Sequence, residues 1–422
     1  MYSARVPRRR AAAILVTLAV AAAGVAVPST ATAAHKPNVA QQGQGKQELR
    51  FATYNASLNR SAEGALVEDL STGHDEQAGR IAEVIQINNP DVVLLNEFDY
   101  DPGHEAAELF RTNYLEVGQN GKAPVRYPYV YTAPSNTGVP SGMDLNNDGT
   151  VGGPDDALGF GQFEGQYGMV LYSRYPIDTG NVRTFQNFLW ADMPGALLPD
   201  DPATDRAADW FTEEELAAVR LSSKSHWNVP VTVGSSTVHV LASHPTPPVF
   251  DAEEDRNGRR NSDEIRFWAD YIHGGGKARY IYDDDGDRGG LDRRADFVVL
   301  GDLNSDPADG DSRPGSISQL LGLKQLQDPQ PAAEGAAEAS VLQGRVNSEH
   351  RGDPALDTAD FEDADAGNIR VDYVLPSKSL KVRGAGIFWP RAGTPGSELT
   401  GIFPFPTSDH RLVYVDVDVK KR

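Results

Sequence analysis

The chain has 422 residues and no cysteine, and its 60 aspartates and glutamates outnumber its 39 lysines and arginines, giving a net charge of −21. Without cysteine there are no disulfides, no thiol nucleophile and no cysteine-ligated zinc or iron–sulfur cluster, so the fold depends on its core, on bound metal or on both. The negative charge repels nucleic acid and anionic membranes unless cations or a local basic groove intervene, and it suits a protein that recruits divalent metal.

The first 34 residues have the three-part pattern of a secretory signal peptide. A basic segment (residues 5–10) precedes an apolar stretch (residues 11–27) and the small residues Ala31-Thr32-Ala33. We predict cleavage near Ala33 or Ala34 and an extracellular protein without a stable membrane anchor; a retained anchor is the alternative. Cleavage removes four arginines and no acid, which takes the net charge from −21 to near −25. A flexible tail is predicted over residues 35–48.

Hydrophobic periodicity predicts an α/β domain over residues 49–422, with strands outnumbering helices. The predicted strands cover residues 49–56, 91–95, 127–132, 168–173, 229–233, 238–243, 297–300, 369–375 and 411–419. Helices are predicted over 75–88, 261–273 and 316–321, and surface insertions near 133–165, 190–225 and 274–295. Thr212 and Glu215 fit a capping box inside the second insertion. Two sheets layered between helices fit this order better than a single doubly wound sheet.

Polar residues stand at the ends of several predicted strands, where layered α/β folds gather their functional sites. They are Asn55, Glu97, His244, Asp302, Asn304, Asp372, Asp409 and His410. Each one alone is most simply a turn former or a structurally satisfied side chain. Taken together, they favour a functional site.

Two groups among these residues indicate a particular chemistry. Asp302 and Asn304, two residues apart after a buried strand, point the same way and can hold a divalent cation or a phosphate oxygen. In Asp409-His410 a proton-transfer group stands beside a charge that tunes it. Together they predict a hydrolytic site for phosphate esters.

The same residues carry a resemblance to the endonuclease/exonuclease/phosphatase superfamily, whose best-known fold is that of deoxyribonuclease I, and to its secreted bacterial-type members. The resemblance covers nearly all of the chain after about residue 49, and its most specific motifs are Gly301-Asp302-Leu303-Asn304 and Ser408-Asp409-His410. The other motifs are Thr53-Tyr54-Asn55, Leu95-Asn96-Glu97, residues 168–174, Ser243-His244-Pro245 and Val371-Asp372-Tyr373. The resemblance implies a four-layer α/β/β/α sandwich with two mainly antiparallel sheets between helices and the site at one edge.

The resemblance also implies a role for each matching residue. Glu97, with Asn55 alongside, looks like the ligand set for Mg²⁺ or Mn²⁺, and Asp409 lies near that metal or a second one. His410 resembles the base that activates or orients the attacking water, with Asp372 fixing its tautomer.

The remaining matching residues are implied to handle the nucleophile and the phosphate. Asp302 positions the nucleophile, and Asn304 hydrogen-bonds a phosphate oxygen without adding negative charge. His244 resembles a phosphate ligand or general acid. Some family members pair that histidine with a glutamate, where this chain has Gln166, which cannot stabilise an imidazolium as a carboxylate does.

A second candidate metal site lies outside these motifs. Oxygen-bearing side chains at alternate positions around a glycine fit a calcium loop, in which the glycine permits the sharp turn. The matching residues are Asp144, Asn146, Asp148, Gly149, Thr150 and Asp155. Structural Ca²⁺ binding and a solvated acidic insertion both remain open.

The predicted function is that of a secreted, divalent-metal-dependent phosphoesterase that cleaves phosphodiester bonds, most simply an extracellular nuclease acting on nucleic acid. A phosphomonoesterase or a phospholipase C- or sphingomyelinase-like hydrolase of the same fold is the first alternative, and a non-catalytic binding protein the second. A membrane-active enzyme needs exposed apolar residues, and the runs at 387–390 and 402–405 are predicted instead to pack in the core or against loops.

Overall fold

The computed structural model describes residues 45–420, and the predicted signal peptide lies outside this range. The strands are β1 (Lys46–Leu58), β2 (Val92–Phe98), β3 (Tyr129–Tyr131), β4 (Met169–Ser173), β5 (Arg183–Thr184), β6 (His226–Val233), β7 (Ser236–Ser243), β8 (Asp296–Asp302), β9 (Ala359–Asp360), β10 (Asn368–Ile369), β11 (Asp372–Pro376), β12 (Lys381–Ile387) and β13 (Val413–Lys420). The α-helices are α1 (Ala65–Ser71), α2 (Glu76–Asn88), α3 (Glu105–Phe110), α4 (Glu213–Leu216), α5 (Arg256–His273), α6 (Ser318–Leu321) and α7 (Glu334–Gln343). Across the described range no helix has the length and apolar character needed to span a membrane.

Most strands belong to two large sheets. One has six strands in the order β12-β13-β1-β2-β4-β3, and the other has five in the order β11-β8-β7-β6-β5. The pairs β1–β2 and β7–β8 are parallel and the remaining pairs are antiparallel. The prediction of two mainly antiparallel sheets is therefore confirmed.

Side-chain alternation along the strands divides the core into three layers. One face of each sheet contributes to a shared apolar layer between the sheets, which includes Phe51, Leu94, Val240, Val298 and Val415. The outer face of the six-stranded sheet packs against α1, α2 and α3, with Tyr54, Leu95, Ile81 and Phe110 in one cluster. The outer face of the five-stranded sheet packs against α5 and α6, with Val299, Leu375, Trp268 and Leu320 in another. These layers form the predicted α/β/β/α sandwich.

Several helix ends follow the sequence signals. The Asp75 side chain accepts a hydrogen bond from the backbone N–H of Ala78 at 2.7 Å and caps α2, which ends at Asn89 in a left-handed conformation. Both hydrogen bonds of the capping box between Thr212 and Glu215 are present at α4. That prediction is confirmed.

The structure differs from the predicted strands in two places. Strand β1 begins at Lys46, so the last residues of the predicted tail pair with β13. The strand predicted over 369–375 is divided into β10 and β11. Its interruption follows from side-chain competition for the backbone, because the N–H of Arg370 donates to Asp306 and that of Val371 to the hydroxyl of Thr358.

The two apolar runs behave differently from one another. Ile387, Phe388 and Trp389 are buried, as predicted. Ile402 and Phe403 are 71% and 82% exposed, so the prediction that the second run packs in the core or against loops is wrong for these two residues.

The strand alternation also determines where the site forms. The inward-facing apolar rows of five strands each end in a polar residue at the same edge of the sandwich. These residues are Asn55 on β1, Asn96 on β2, His244 after β7, Asp302 on β8 and Asp372 on β11. Since side chains two residues apart share a face, the residues that fill the core also aim these polar groups into the gap between the sheets.

Candidate active site

A buried chain of three ionisable side chains forms the centre of the site. The Nδ1 atom of His410 lies 2.9 Å from Oδ2 of Asp372, and its Nε2 atom lies 3.7 Å from Oδ2 of Asp302. Each of the three offers a ligand atom within 4.8 Å of the others. The sequence predicted a His410–Asp372 pair, and the two side chains are in direct contact.

Neighbouring strand ends hold His410 in place. The hydroxyl of Ser408 accepts a hydrogen bond from the His410 backbone N–H at 3.0 Å and donates to the carbonyl of Asn55 at 2.8 Å. The ring of Phe361 contacts the imidazole edge-on, with centroids 5.3 Å apart. The imidazole is thereby fixed by both β1 and the segment that precedes β13.

The charges around His410 favour its protonated form. Burial alone lowers the pKa of His410, but the negative charges of Asp372 and Asp302 raise it well above its ordinary value. Burial disfavours the Asp302 carboxylate, yet His410, His244 and Asn55 hold its pKa below the ordinary value. Asp302 is therefore an anion at neutral pH, placed to accept a hydrogen bond from a nucleophile.

His244 contacts Asp302 from the side opposite His410. Its pKa is lowered, whereas that of His410 is raised. Its Nε2 atom lies 3.3 Å from Oδ2 of Asp302, and its Nδ1 atom is buried without a partner in the described residues. Burial and the positive charge of Lys224 lower the pKa of His244 to about 4. Gln166 does not contact His244, because the Gln166 side-chain amide hydrogen-bonds the backbone of Arg60 and Gln162 instead. A neutral His244 has a single N–H, which faces the Asp302 carboxylate in this structure, so it fits a general acid poorly.

Glu97 extends the site away from the histidines. Amide donors hold both of its carboxylate oxygens: Asn55 donates to Oε1 at 3.0 Å and Asn59 to Oε2 at 2.8 Å. The same Asn55 amide donates to Oδ2 of Asp302 at 3.1 Å. If the alternation of β2 continued, Glu97 would point outward like Leu95. Its side chain points into the site instead, and its backbone has a positive φ of 55°. Such strain occurs where a functional group must be aimed.

A comparison with known proteins identifies the chain. The model of the endonuclease/exonuclease/phosphatase family matches residues 52–410, which is most of the chain. The chain belongs to the endonuclease/exonuclease/phosphatase family. No curated protein matches it.

Solved structures of this family and of related enzymes resemble the chain at low identity. An endonuclease/exonuclease/phosphatase from Beutenbergia cavernae is 20% identical, with 88% of this chain and 72% of that chain covered and a TM-score of 0.48. Truncated TDP2 from Caenorhabditis elegans is 15% identical, with 88% and 98% covered and a TM-score of 0.41. Sphingomyelinase C from Streptomyces griseocarneus is 14% identical, with 88% and 99% covered and a TM-score of 0.41.

Proteins of the endonuclease/exonuclease/phosphatase family are hydrolases that generally depend on a divalent metal, and the residues of this site fit one. Their donor atoms near the strand ends are carboxylate and amide oxygens, the ligands that Mg²⁺ and Mn²⁺ take. Burial raises the pKa of Glu97, so a cation there would offset the cost of its buried charge. Glu97 is the residue that would hold such an ion, with Asp409, as predicted, and Asp302 as further oxygen donors. The predicted ligand Asn55 has another task in this structure: its amide donates to Glu97 and Asp302, and its Oδ1 accepts the N–H of Ser57.

The other predicted site residues lie at the rim of this group. The Oδ1 atom of Asp409 is 3.3 Å from the hydroxyl of Ser57. Asn304 has a positive φ of 50°; its backbone N–H donates to Oδ1 of Asp302 at 2.9 Å and its amide to the carbonyl of Pro245 at 3.1 Å. All eight predicted strand-end residues therefore gather at one edge of the sandwich.

Sequence reasoning assigned no role to three polar residues of the site. Asn96, which is fully buried, connects the two sheets: its amide donates to the carbonyl of Ser243, and its Oδ1 accepts from the N–H of Asp302. Its two-residue spacing from Leu94 was a usable signal. Asn59, which holds Glu97, and Lys224, which lies beside His244, stand in loops without any periodic pattern.

The predicted calcium loop forms a compact turn in the first insertion. The carboxylate of Asp144 accepts hydrogen bonds from the N–H groups of Asp148 and Gly149 at 3.1 and 2.8 Å. Asp155, predicted as the ligand at the twelfth position of the loop, lies 3.9 Å from Arg256 instead. The carboxylate that accepts the N–H groups closing the loop is that of the next residue, Asp156. No three carboxylates of this segment converge within 4.8 Å. Ca²⁺ binding stays a prediction.

If the loop binds Ca²⁺, the ion should raise the melting temperature without itself supporting turnover, because the stabilisation by a ligand of the native state grows with its concentration relative to its dissociation constant. Asp148→Ala should remove this shift and leave Mg²⁺-driven hydrolysis unchanged. Asp285→Ala, in a different exposed acidic loop, is the matched control and should keep the shift. If Ca²⁺ does not change the melting temperature of the parent protein, the segment is a solvated turn and not a calcium site.

Proposed function

We propose that the protein hydrolyses phosphodiester bonds in a reaction that depends on a divalent metal. The observation that supports this most strongly is the buried Asp372–His410–Asp302 chain lying beside Glu97. A non-catalytic binding protein has no need for three buried ionisable groups and a fourth, half-buried one at one strand edge, since buried charge costs stability.

The residues have separable roles in this reaction. Asp372 accepts the Nδ1–H of His410, which leaves Nε2 as the atom that takes the proton from the attacking water. Asp302, 3.7 Å from Nε2, orients that water towards phosphorus. The water oxygen bonds to phosphorus as the ester P–O bond breaks, and the leaving oxygen takes up a proton from solvent water. The amide of Asn304 binds a phosphoryl oxygen, and neutral His244 binds another when its N–H turns from Asp302 to the phosphate. Glu97 would hold a divalent cation, which would supply positive charge to offset the negative charge developing on the phosphoryl oxygens and the leaving group.

The proposal includes a place of action. The N-terminal pattern of residues 1–34 supports export and action outside the cell. The proposed substrate class is phosphodiesters in general. The experiment below distinguishes nucleic acid, phosphomonoesters and sphingomyelin as substrates.

A substrate panel tests this proposal. We expect the purified protein to hydrolyse at least one member of a panel of bis(p-nitrophenyl) phosphate, plasmid DNA, RNA, p-nitrophenyl phosphate and sphingomyelin in Mg²⁺ or Mn²⁺, and none of them in excess chelator. Restoring the metal should restore the rate. Activity confined to the monoester would replace the diesterase proposal with a phosphomonoesterase, and no activity on any member would refute both.

A further inference from the structure

A cavity of about 500 Å³ opens next to the candidate active site, and Glu97 and His244 form part of its wall. Its volume falls in the range of pockets for small organic ligands. The remaining wall comes mainly from the first two insertions, from the segment after β7 and from the first turns of α5. It is mainly apolar, with Leu158, Phe160, Trp190, Phe211, Val219 and Phe250 among its lining residues. The insertions therefore shape the space into which a substrate of this site would extend.

One cation in this wall lacks the contacts that buried charges normally have. Lys224 is 6% exposed, and within residues 45–420 its ammonium group has neither a hydrogen-bond partner nor a salt bridge. The nearest alternative, Glu264, already accepts hydrogen bonds from the N–H groups of Ser223 and Thr246 at 2.8 and 2.6 Å. The Lys224 nitrogen is not among the fully buried unpartnered atoms of the described residues, so it opens to the cavity, where the oxygen of a ligand can pair with it.

The neighbouring arginine shows the contrast. Arg260 also lines the cavity, but its guanidinium donates to the carbonyls of Leu221, Leu158 and Arg220 at 2.6–2.8 Å and so holds the two insertions together. Lys224 has no such structural task. It stands among the negative charges of Glu97, Asp302 and Glu264, where an anionic substrate would otherwise be repelled.

We propose that this cavity is the substrate pocket, and that it takes a phosphate ester with a compact apolar or aromatic substituent whose phosphoryl oxygen is held by Lys224. The proposal rests on the proposed function and narrows its substrate class. The apolar wall buries a hydrophobic group favourably but cannot replace the water and counterions around a polynucleotide backbone. The phosphoryl group lies at the polar end, where Glu97, His244 and Lys224 meet.

Binding of two non-hydrolysable probes tests the proposal independently of turnover. Phenylphosphonate and methylphosphonate share a head group and differ in apolar area, and calorimetry in Mg²⁺ measures both affinities. We expect the parent protein to bind phenylphosphonate at least about 10-fold more tightly, because the pocket buries the ring. Ala157→Phe, which fills the pocket, should erase this preference, whereas Ala217→Phe, on the exposed side of the same wall, should retain it.

A separate variant tests whether Lys224 binds the phosphoryl group. Lys224→Met should weaken binding of both phosphonates by about 10- to 100-fold, because a charge-assisted hydrogen bond is lost. Its melting temperature should change little, since the ammonium group of Lys224 makes no hydrogen bond or salt bridge within residues 45–420. The exposed Lys277→Met is the control and should bind like the parent protein. A stable Lys224→Met with unchanged affinity would remove Lys224 from the pocket.

The outcomes separate this proposal from the proposed function. Equal affinity for the two probes, or no binding of either, overturns the apolar pocket even if bis(p-nitrophenyl) phosphate is hydrolysed. Cleavage of plasmid DNA with a kcat/KM equal to that for the aryl diester also overturns it. Preferential binding of phenylphosphonate without hydrolysis of any ester would instead leave the pocket standing and refute the hydrolase.

Discussion

Asp372→Asn should lower kcat by about 10²- to 10⁴-fold, the range for losing an oriented general base, while the protein stays folded. The carboxylate accepts the Nδ1–H of His410 at 2.9 Å and so keeps Nε2 free as the proton acceptor. Asparagine can instead donate its amide N–H to Nδ1, which moves the ring proton to Nε2 and blocks that atom. His410→Ala should be at least as damaging.

The pH profile gives the same substitution a second, independent readout. Catalysis requires neutral His410, and the charge of Asp372 helps to raise the pKa of this imidazole well above its ordinary value. The rate of the parent protein should therefore rise with pH through an acid limb above about 6.5, the ordinary histidine value. Asp372→Asn removes a charge that raises the pKa, so the limb should move to lower pH. Exposed Asp365→Asn is the control and should shift neither kcat nor the limb.

The pairing of these residues would be wrong under either of two results. One is an Asp372→Asn variant with normal kcat beside an inactive His410→Ala. The other is an acid limb that keeps its position when Asp372 is neutralised.

Glu97→Gln should reduce kcat/KM by about 10³-fold or more, because metal-ion stabilisation of a phosphoryl transition state is worth several kcal/mol. Glutamine has the shape of glutamate but no charge, and Asn55 and Asn59 both donate to this position. One of the two hydrogen bonds is lost, which costs about 1 kcal/mol of folding free energy. The melting temperature should therefore change little while Mn²⁺ affinity, measured by electron paramagnetic resonance, falls.

The matched control for this variant is Glu63→Gln, an exposed carboxylate in the same part of the chain. It should bind Mn²⁺ and turn over substrate like the parent protein. Near-full activity of Glu97→Gln at saturating Mg²⁺ would remove Glu97 from the site.

The layered fold and the polar strand ends were predictable because both follow from the two-residue period of a strand. Apolar residues such as Val298 and Leu300 indicate the buried face, and the next residue of that row, Asp302, is then aimed into the gap between the sheets. The need for glycine at position 301, just before Asp302, also has a local reason. A Cβ on Gly301 would lie 2.0 Å from the carbonyl oxygen of Ser243.

The pocket was not predictable from the sequence. Most of its apolar wall comes from irregular insertions, whose residues carry no period to show which side chains face inward. Lys224 stands in a run of serines that indicates an exposed loop, and only tertiary packing buries it. The inward position of Glu97 likewise depends on a left-handed backbone conformation that its sequence does not signal.

Hydrolysis of bis(p-nitrophenyl) phosphate in Mg²⁺ or Mn²⁺ tests the central claim, metal-dependent phosphodiester cleavage by this strand edge, most directly. In water enriched in oxygen-18, the parent protein should release p-nitrophenol and place one heavy oxygen on the phosphoryl product, as water attack on phosphorus requires. Excess chelator, Glu97→Gln and His410→Ala should each suppress release. Metal-independent release, or the same rate in both variants as in the parent protein, would contradict the account.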